Sequence, residues 1–513
     1  MVEGIRRIVI VGGGTAGWLS AAYLQRVLSG RTASPIQITL IESDTIDTVG
    51  VGEATIPSIR NIMQLIGIPE WRLIKETDAT FKNAIKFVDW AKQPTDGVSS
   101  HFYHPFDMPP VREGFNALAH WTALKEEAHD LPPLDQSVSI QSALCDAELS
   151  PKLFASLPYE APVPYAYHLD AVKLAALLRD VAMERGVERV VDHVETVRLN
   201  DEGEIAELVT RDGRAVAGDF FIDCTGFQAL LIGKTLGGSF VSYAGHMLCD
   251  RAVVCQTKLK TAPRPYTTAT AKSAGWTWGI DLFSRQGNGY VYSSKFISDE
   301  DAERELLDHL SDAEIITSPR RIEMKVGRFE DVWIKNCLAV GLSAGFIEPL
   351  ESTGIHFIEL ALGLFVDYFA EGPALSPLSR KYNQVIRQTY DEVTNFVLIH
   401  YILNNRRGLP FWDHYREKVL LPAKLVEQLQ VWAYKIPSRT DLESKISIFD
   451  GTNYFFIMAG LNTLPPFGNN LSTIINKERS LAVMEEIRRT REVAVEASPA
   501  HAEILQKIRG VAG

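Results

Sequence analysis

Three glycines near the N-terminus, Gly12, Gly14 and Gly17, have the spacing G-x-G-x-x-G, with Thr15 and Ala16 inside it. They follow a short β-branched run (IVIV, 8–11) and precede WLSAAYLQRVL, an apolar stretch that reads as a helix. In that context the first glycine makes a tight turn and the second lets backbone approach a pyrophosphate. The third lets the helix pack on the strand. The pyrophosphate then meets free amides at the positive end of the helix dipole. A second strand, IQITLIES (36–43), ends at Glu42, whose carboxylate can accept hydrogen bonds from an adenosine ribose and would repel a 2′-phosphate. The glycines alone serve FAD and NAD equally.

Other residues have the types needed for acid–base and nucleophilic work. Lys82 lies in DATFKNAIKFVDW (78–90), flanked by Phe81, Ile85 and Phe87. A lysine desolvated by such neighbours loses basicity and becomes a nucleophilic amine. By residue type alone, a solvated surface lysine is the commoner case. The segment alternates like a strand but permits a helix, and either period puts Lys82 and Lys86 on a similar face. In E-S-T-G (351–354), Glu351 precedes a helix start, and GIHFIELALGLFVDYF carries apolar residues at helical spacing. Ser352 or Thr353 can cap that helix, and the reciprocal capping box fails because Ile355 stands where a Glu is needed. Free amides near Thr353 and Gly354 offer an anion site. His101, Phe102 and Tyr103 in HFYHPF, and Trp276 and Trp278 in GWTWGIDLF (275–283), add flat aromatic surfaces that fit either a planar substrate or core packing.

The elements that must position these groups belong to an α/β protein. DFFIDCTGF (219–227), with Asp223, Thr225 and Gly226, and NCLAVGLSAGFIEP (336–349) are hydrophobic strands running into small-residue loops. Such widely separated turns favour a discontinuous FAD domain of the hydroxylase type over an NAD domain. The expected core is a Rossmann-like FAD-binding unit assembled from 1–100, 160–240 and 325–375. Residues 101–159, 241–324 and 376–513 then supply an added sheet and a helical C-terminal substrate region, all in one compact unit. The final stretch, NKERSLAVMEEIRRTREVAVEASPAHAEILQKI, reads as charged amphipathic helices with a solvated face.

Composition sets limits on all of this. The 513 residues carry 52 Lys+Arg against 64 Asp+Glu, a net charge of −12, which argues against a nucleic-acid binder. No apolar run approaches the ~18 residues of a membrane span. The five cysteines are scattered without a C-x-x-C pair, which fits a reducing cytoplasm and argues against a metal site. No second dinucleotide fingerprint is present for NAD(P)H, so the reductant arrives by another route.

Taken together, VIVGGGTAGW, GVGEATIPSIRNI (50–62), HFYHPF, GWTWGIDLF and GLSAGFIEPLESTGIHF (341–357) resemble the flavin-dependent tryptophan halogenases, over about residues 8–400. The resemblance implies an enzyme in which FADH2 and dioxygen oxidise chloride or bromide to hypohalous acid. The acid then travels to an aromatic substrate held away from the flavin. It implies Lys82 as the residue that hydrogen-bonds the oxidant or becomes a haloamine, and Glu351 as its carboxylate partner. Thr353 and Gly354 would hold the halide, Leu342 and Ile355 would flank the flavin, and Val194 would touch the adenosine end. Trp276 and Trp278 would keep substrate from the flavin, although Asp281 stands where the family has proline after W-x-W-x-I. His101 and Tyr103 would line the substrate. The partners implied are a separate NAD(P)H-dependent flavin reductase, a small aromatic substrate and a second copy of the chain, as family members often dimerise.

The C-terminal region departs from the tryptophan-specific pattern. Aligned on SIFDGTNYFFIMAGL (447–461), Lys445 and Ile446 replace a Tyr-Tyr pair, Asp450 stands for a Glu, and Tyr454 for a stacking tryptophan. Loss of two hydroxyl donors weakens a buried grip on a free amino acid by a few kcal/mol, at ~1 kcal/mol per hydrogen bond plus desolvation. An indole-type arene is therefore the expected substrate. A flavin-dependent aromatic monooxygenase is the alternative, and a flavin-fold binding protein without redox chemistry is the second.

Overall fold

The computed structural model describes residues 4–29, 35–45, 52–112, 114–127, 130–369, 375–444, 446–466 and 475–510. The run Ile8–Val11 is buried on both faces and forms most of strand β1 (Arg7–Val11). It lies inside a six-stranded sheet, between β2 (Gln37–Glu42) and the strand Phe220–Asp223. Glu188–Val191 extends the sheet beyond β2, Cys337–Ala339 pairs with Phe220–Asp223, and all these pairings are parallel. Trp333–Ile334 closes the far edge antiparallel. Helix α1 (Thr15–Leu28) packs on the helix Ala171–Glu184 and on the helix Gly354–Asp367 over this sheet. The α/β core is thus built from three separate stretches of chain, as discontinuous strand ends require.

Residues 78–90 form strands, and they divide at Asn83. Strand β3 (Gly52–Ala54) and strand β4 (Thr80–Lys82) flank Ala166–Asp170 in a small antiparallel sheet. Strand β5 (Ala84–Val88) instead joins a seven-stranded sheet, paired with Tyr266–Ala271 on one side and with β6 (His101–Pro105) on the other. The change of sheet therefore falls at Asn83, whose N–H donates to the Pro265 carbonyl at 2.7 Å. The break also cancels the strand alternation that would have put Lys82 and Lys86 on one face. Lys86 Nζ lies 5.3 Å from the Tyr103 ring, whereas Lys82 turns toward Thr55 and Ser352.

Helices from the C-terminal third cover the second sheet. The longest, Leu375–Ile402, runs from the Trp333–Ile334 edge of the first sheet to the helix Gly451–Gly460, which packs on β6. Lys477–Ala497 buries Ser480, Val483 and Ile487 against Ala117–Glu126 and leaves its charged side to solvent, as an amphipathic helix does. One apolar cluster runs from Ile8 and Leu24 through Phe81 and Trp276 to Phe396 and Tyr454, so the sheets share a core. Asp281, in the place of the expected proline, is buried and pairs with Arg264 through two hydrogen bonds of 2.8 and 3.0 Å. Among the described residues no helix is long and apolar enough to cross a membrane, and no cluster of three or more His, Cys, Asp or Glu side chains has the arrangement of a metal site.

Candidate active site

Three strand-end loops converge at the carboxyl edge of the first sheet. Gly12 turns at φ +114°, and its N–H donates to the Ile41 carbonyl at 2.8 Å. A Cβ at Gly17 would lie 1.8 Å from the Gly12 oxygen, so the helix can start only because that residue is glycine. A Cβ at Gly14 would meet no protein atom within 4 Å, and no side chain caps α1, so its first amides face open space. Asp223 ties the loops together. It accepts from Thr225 and from Ser343 Oγ at 3.1 Å, and from the amides of Leu231 and Ile232. The Gly341–Ser343 turn rests on Ala16, which brings half-exposed Leu342 to the same crevice. Glu42 folds over Gly13 and is held by Arg189 at 2.6 Å and Trp18 Nε1 at 3.1 Å. The Asp192 amide donates to the Glu42 carbonyl at 2.9 Å, so Val194, two residues on, lies at this end of the crevice. Glycines that could not carry a side chain, an uncapped helix start and a carboxylate beside them fit a dinucleotide.

The second centre is built around Lys82 and Glu351. Lys82 is fully buried, and its Nζ donates to the Thr55 carbonyl at 3.1 Å and to Ser352 Oγ at 2.8 Å, below the Phe106 ring at 5.2 Å. Burial brings its amine down from 10.5 to about 7, against the pull of the Glu351 charge. Glu351 shares the same enclosure. Burial pushes its carboxyl up, but His104 and His400 outweigh that and hold it at about 2. His104 Nδ1 donates to Oε2 at 2.9 Å, and His400 Nε2 to Oε1 at 2.8 Å. Both nitrogens of His400 are engaged, since Nδ1 lies 3.0 Å from the Phe396 carbonyl. Lys82 is therefore a weakly basic amine beside a fixed carboxylate whose charge is balanced elsewhere.

Ser352, at φ +60°, turns the chain from this centre to the start of the helix Gly354–Asp367. Thr353 occupies the N-cap position, yet no side chain caps the first turn, and a Cβ at Gly354 would meet nothing within 4 Å. Ile355, in that turn, is buried. Trp276 and Trp278 lie on one face of the strand Gly275–Asp281, with ring centroids 6.1 Å apart, and neither indole N–H closes a direct hydrogen bond.

His101 and Tyr103 do not join this centre. Side chains alternate along β6, so they take the face opposite His104. Tyr103 donates to Asp146 Oδ1 at 2.9 Å, and His101 is exposed. The groups beside Lys82 and Glu351 are His104 and Phe106, three residues further on with the same His-x-aromatic spacing; the repeat within HFYHPF was the available signal. His400, on a distant helix, had no local signal. Tyr454 is buried between Trp432 and Phe396, at 4.6 and 4.9 Å between ring centroids. Phe449 is the C-terminal aromatic that borders His104, at 6.2 Å. Asp450 caps the helix Gly451–Gly460, accepting from the Thr452 and Asn453 amides. Lys445 lies outside the described residues.

The family model for tryptophan halogenases matches residues 7–475. The chain belongs to that family. Tryptophan 6-halogenase SttH of Streptomyces toxytricini is 37% identical over 88% of each chain. The tryptophan halogenase of Shewanella frigidimarina NCIMB 400 superposes with a TM-score of 0.92 at 30% identity, covering 99% of this chain and 98% of its own. BrvH, a flavin-dependent halogenase from Brevundimonas sp. BAL3, gives 0.88 at 35% identity, covering 98% and 99%. This halogenase therefore works with reduced FAD, a halide and an indole-type aromatic substrate, and the monooxygenase reading falls away. Enzymes of this kind draw their reduced flavin from a separate reductase.

Proposed function

We propose that this halogenase transfers electrophilic chlorine or bromine from the Lys82 amine to an indole-type arene, with free tryptophan a poor substrate. Gly12, Gly14, Thr15, Ala16 and Gly17 hold the FAD pyrophosphate, with Glu42 and Val194 at the adenosine and Leu342 and Ile355 at the flavin. Thr353 and Gly354 hold the halide. Bound reduced flavin supplies, with dioxygen, the oxidising power that converts halide to hypohalous acid. The chain does the rest. Trp276 and Trp278 wall the arene off from the flavin, the Lys82 amine takes up and presents the halogen, and the Glu351 carboxylate accepts the ring proton. His104 and Phe106 border the ring.

The observation that carries this reading is the buried Lys82 amine, brought to about 7 beside a carboxylate held at about 2. An amine half neutral near pH 7 is a competent halogen acceptor, and the neighbouring carboxylate is a ready base. The preference against free tryptophan rests on the C-terminal grip. Asp450 is committed to its helix cap and Ile446 offers no hydroxyl. Five free, buried cysteines agree with a reducing cytoplasm, where an NAD(P)H-dependent reductase supplies the flavin. The test is mass spectrometry of product from indole, substituted indoles, phenols and free tryptophan, with a flavin reductase and each halide. Halogenated indole with little halogenated tryptophan supports the reading, and saturating turnover of tryptophan at micromolar concentration refutes the substrate preference.

A further inference from the structure

We infer that Glu348 is a second proton-handling residue of this halogenase, supplying the proton that turns hypohalite into neutral hypohalous acid beside the tryptophan wall. The inference rests on the reading above in one respect, that oxidised halogen moves inside the protein.

Glu348 lies three residues before Glu351, and its surroundings are of the opposite kind. It is fully buried. Oε1 accepts a short hydrogen bond from the Tyr401 hydroxyl, while Oε2 is buried without any partner. The indole N–H of Trp276, itself buried and unpartnered, lies beside this carboxyl. The other groups facing it are the Cys249 thiol, 3.8 Å from the Tyr401 hydroxyl, and Tyr415, stacked on Tyr401 at 4.5 Å from the helix Pro410–Glu417. None is a cation or an imidazole. Burial accordingly pushes the carboxyl up to about 7, only partly offset by Tyr401, Trp276 and Cys249. Two carboxyls three residues apart are therefore set to different tasks, one ionised and one holding a proton.

The overall reaction needs such a proton. It reads ArH + X⁻ + H⁺ + FADH2 + O2 → ArX + FAD + 2 H2O, so each turnover consumes one proton. At the arene, HOX + ArH → ArX + H2O is neutral in protons, and Lys82 and Glu351 only relay them. The net proton therefore belongs to the oxidant-forming half of the reaction, FADH2 + O2 + X⁻ + H⁺ → FAD + HOX + H2O, and has to be held as an O–H bond of the oxidant when it crosses to Lys82. The step is RCO2H + XO⁻ → RCO2⁻ + HOX, with the O–H bond of Glu348 broken and that of hypohalous acid formed. The carboxylate left behind keeps the Tyr401 hydroxyl on Oε1 and regains a proton from water between turnovers. Neutral HOX crosses the apolar wall, where an anion would face a large desolvation cost.

Glu348→Gln keeps the side-chain volume and an acceptor for Tyr401 but carries no transferable proton. The first measurement is an infrared difference titration of the cofactor-free protein. A protonated-carboxyl band with a midpoint near 7 is expected in the wild type and is lost in the variant. A second band from Glu53, which burial also pushes up to about 7, remains. The second is the ratio of halogenated indole to flavin oxidised, against pH. The wild-type ratio falls on the alkaline side. The variant shows no alkaline limb, and at about pH 6 its ratio is roughly a hundredfold lower, in the range of a lost general acid. Glu348→Asp restores part of both signals, and it serves if the glutamine variant does not fold. An unchanged ratio, a loss equal at every pH, or the absence of the Glu348 band overturns the inference. Should the wild type halogenate no arene, the proposed function fails instead, and the infrared band still decides whether Glu348 holds a proton.

Discussion

The protonation of Lys82 can be shifted from a neighbour, and the size of the effect follows from the site. The fall from 10.5 to about 7 corresponds to roughly 5 kcal/mol in favour of the neutral amine, after Glu351 has pulled the other way. Replacing Glu351 by glutamine removes that pull. At an effective dielectric of ~20, a carboxylate about 4–8 Å from an amine attracts it by roughly 2–4 kcal/mol, or about two pKa units. In Glu351→Gln the Lys82 midpoint should therefore fall from about 7 to ~5. The assay is a pH titration of ¹⁵N-labelled lysine amines by NMR in the cofactor-free protein, with Lys82→Met to identify the resonance. An unchanged or raised midpoint in Glu351→Gln would refute the electrostatic reasoning, and a wild-type midpoint near 10 would refute the burial argument beneath it. The linkage has a definite sign. The unfolded chain binds more protons than the folded one between about 7 and 10.5, so the stability contributed at this site rises with pH across that window. In Lys82→Met that rise disappears.

Other outcomes follow from single contacts. Gly17→Ala should fail to fold or lose FAD entirely, because its Cβ meets the Gly12 oxygen at 1.8 Å. Gly14→Ala should fold normally and lose FAD affinity only, since its Cβ meets no protein atom; calorimetry and flavin titration separate the two. Asp281→Asn leaves Arg264 without its charge partner and should cost roughly 3 kcal/mol, read as a lower Tm. Burial pushes the Asp281 carboxyl up, but Arg264 outweighs this and holds it below its ordinary 3.8. Its contribution is therefore complete above that value and lost as pH falls through the lower folded midpoint. His104→Ala or Phe106→Ala should lower indole halogenation by more than roughly tenfold, while His101→Ala and Tyr103→Phe stay within about twofold. Steady-state rates with a fixed reductase supply decide between them.

The glycine-lined crevice was legible because its signals are local. A β-branched run, fixed glycine spacing and a carboxylate at the next strand end act over a few dozen residues, and Gly12, Gly17 and Glu42 meet in the crevice they imply. Lys82 and Glu351 were found through long ordered motifs, and the structure brings them together. The aromatic surroundings of Lys82 and Glu351 were less legible. HFYHPF offers the same spacing twice, and only the register of β6 against β5 decides which histidine faces inward. The split at Asn83 could not be read from alternation, since one extended run passes between two sheets there. His400 comes from the far end of a 28-residue helix with no motif around it. Asp281 in place of proline became intelligible only once Arg264, 17 residues earlier in the chain, was seen to donate to it across the fold.

The central claim is that the Lys82 amine passes halogen to the arene after the oxidant has formed elsewhere. The direct measurement pairs two yields in Lys82→Met supplied with reductase, dioxygen and bromide: halogenated indole, and hypobromous acid captured by an added small-molecule trap. Trapped oxidant at the wild-type level or above, with halogenated indole gone, is the predicted result. Halogenated indole formed at the wild-type rate and position would contradict the account.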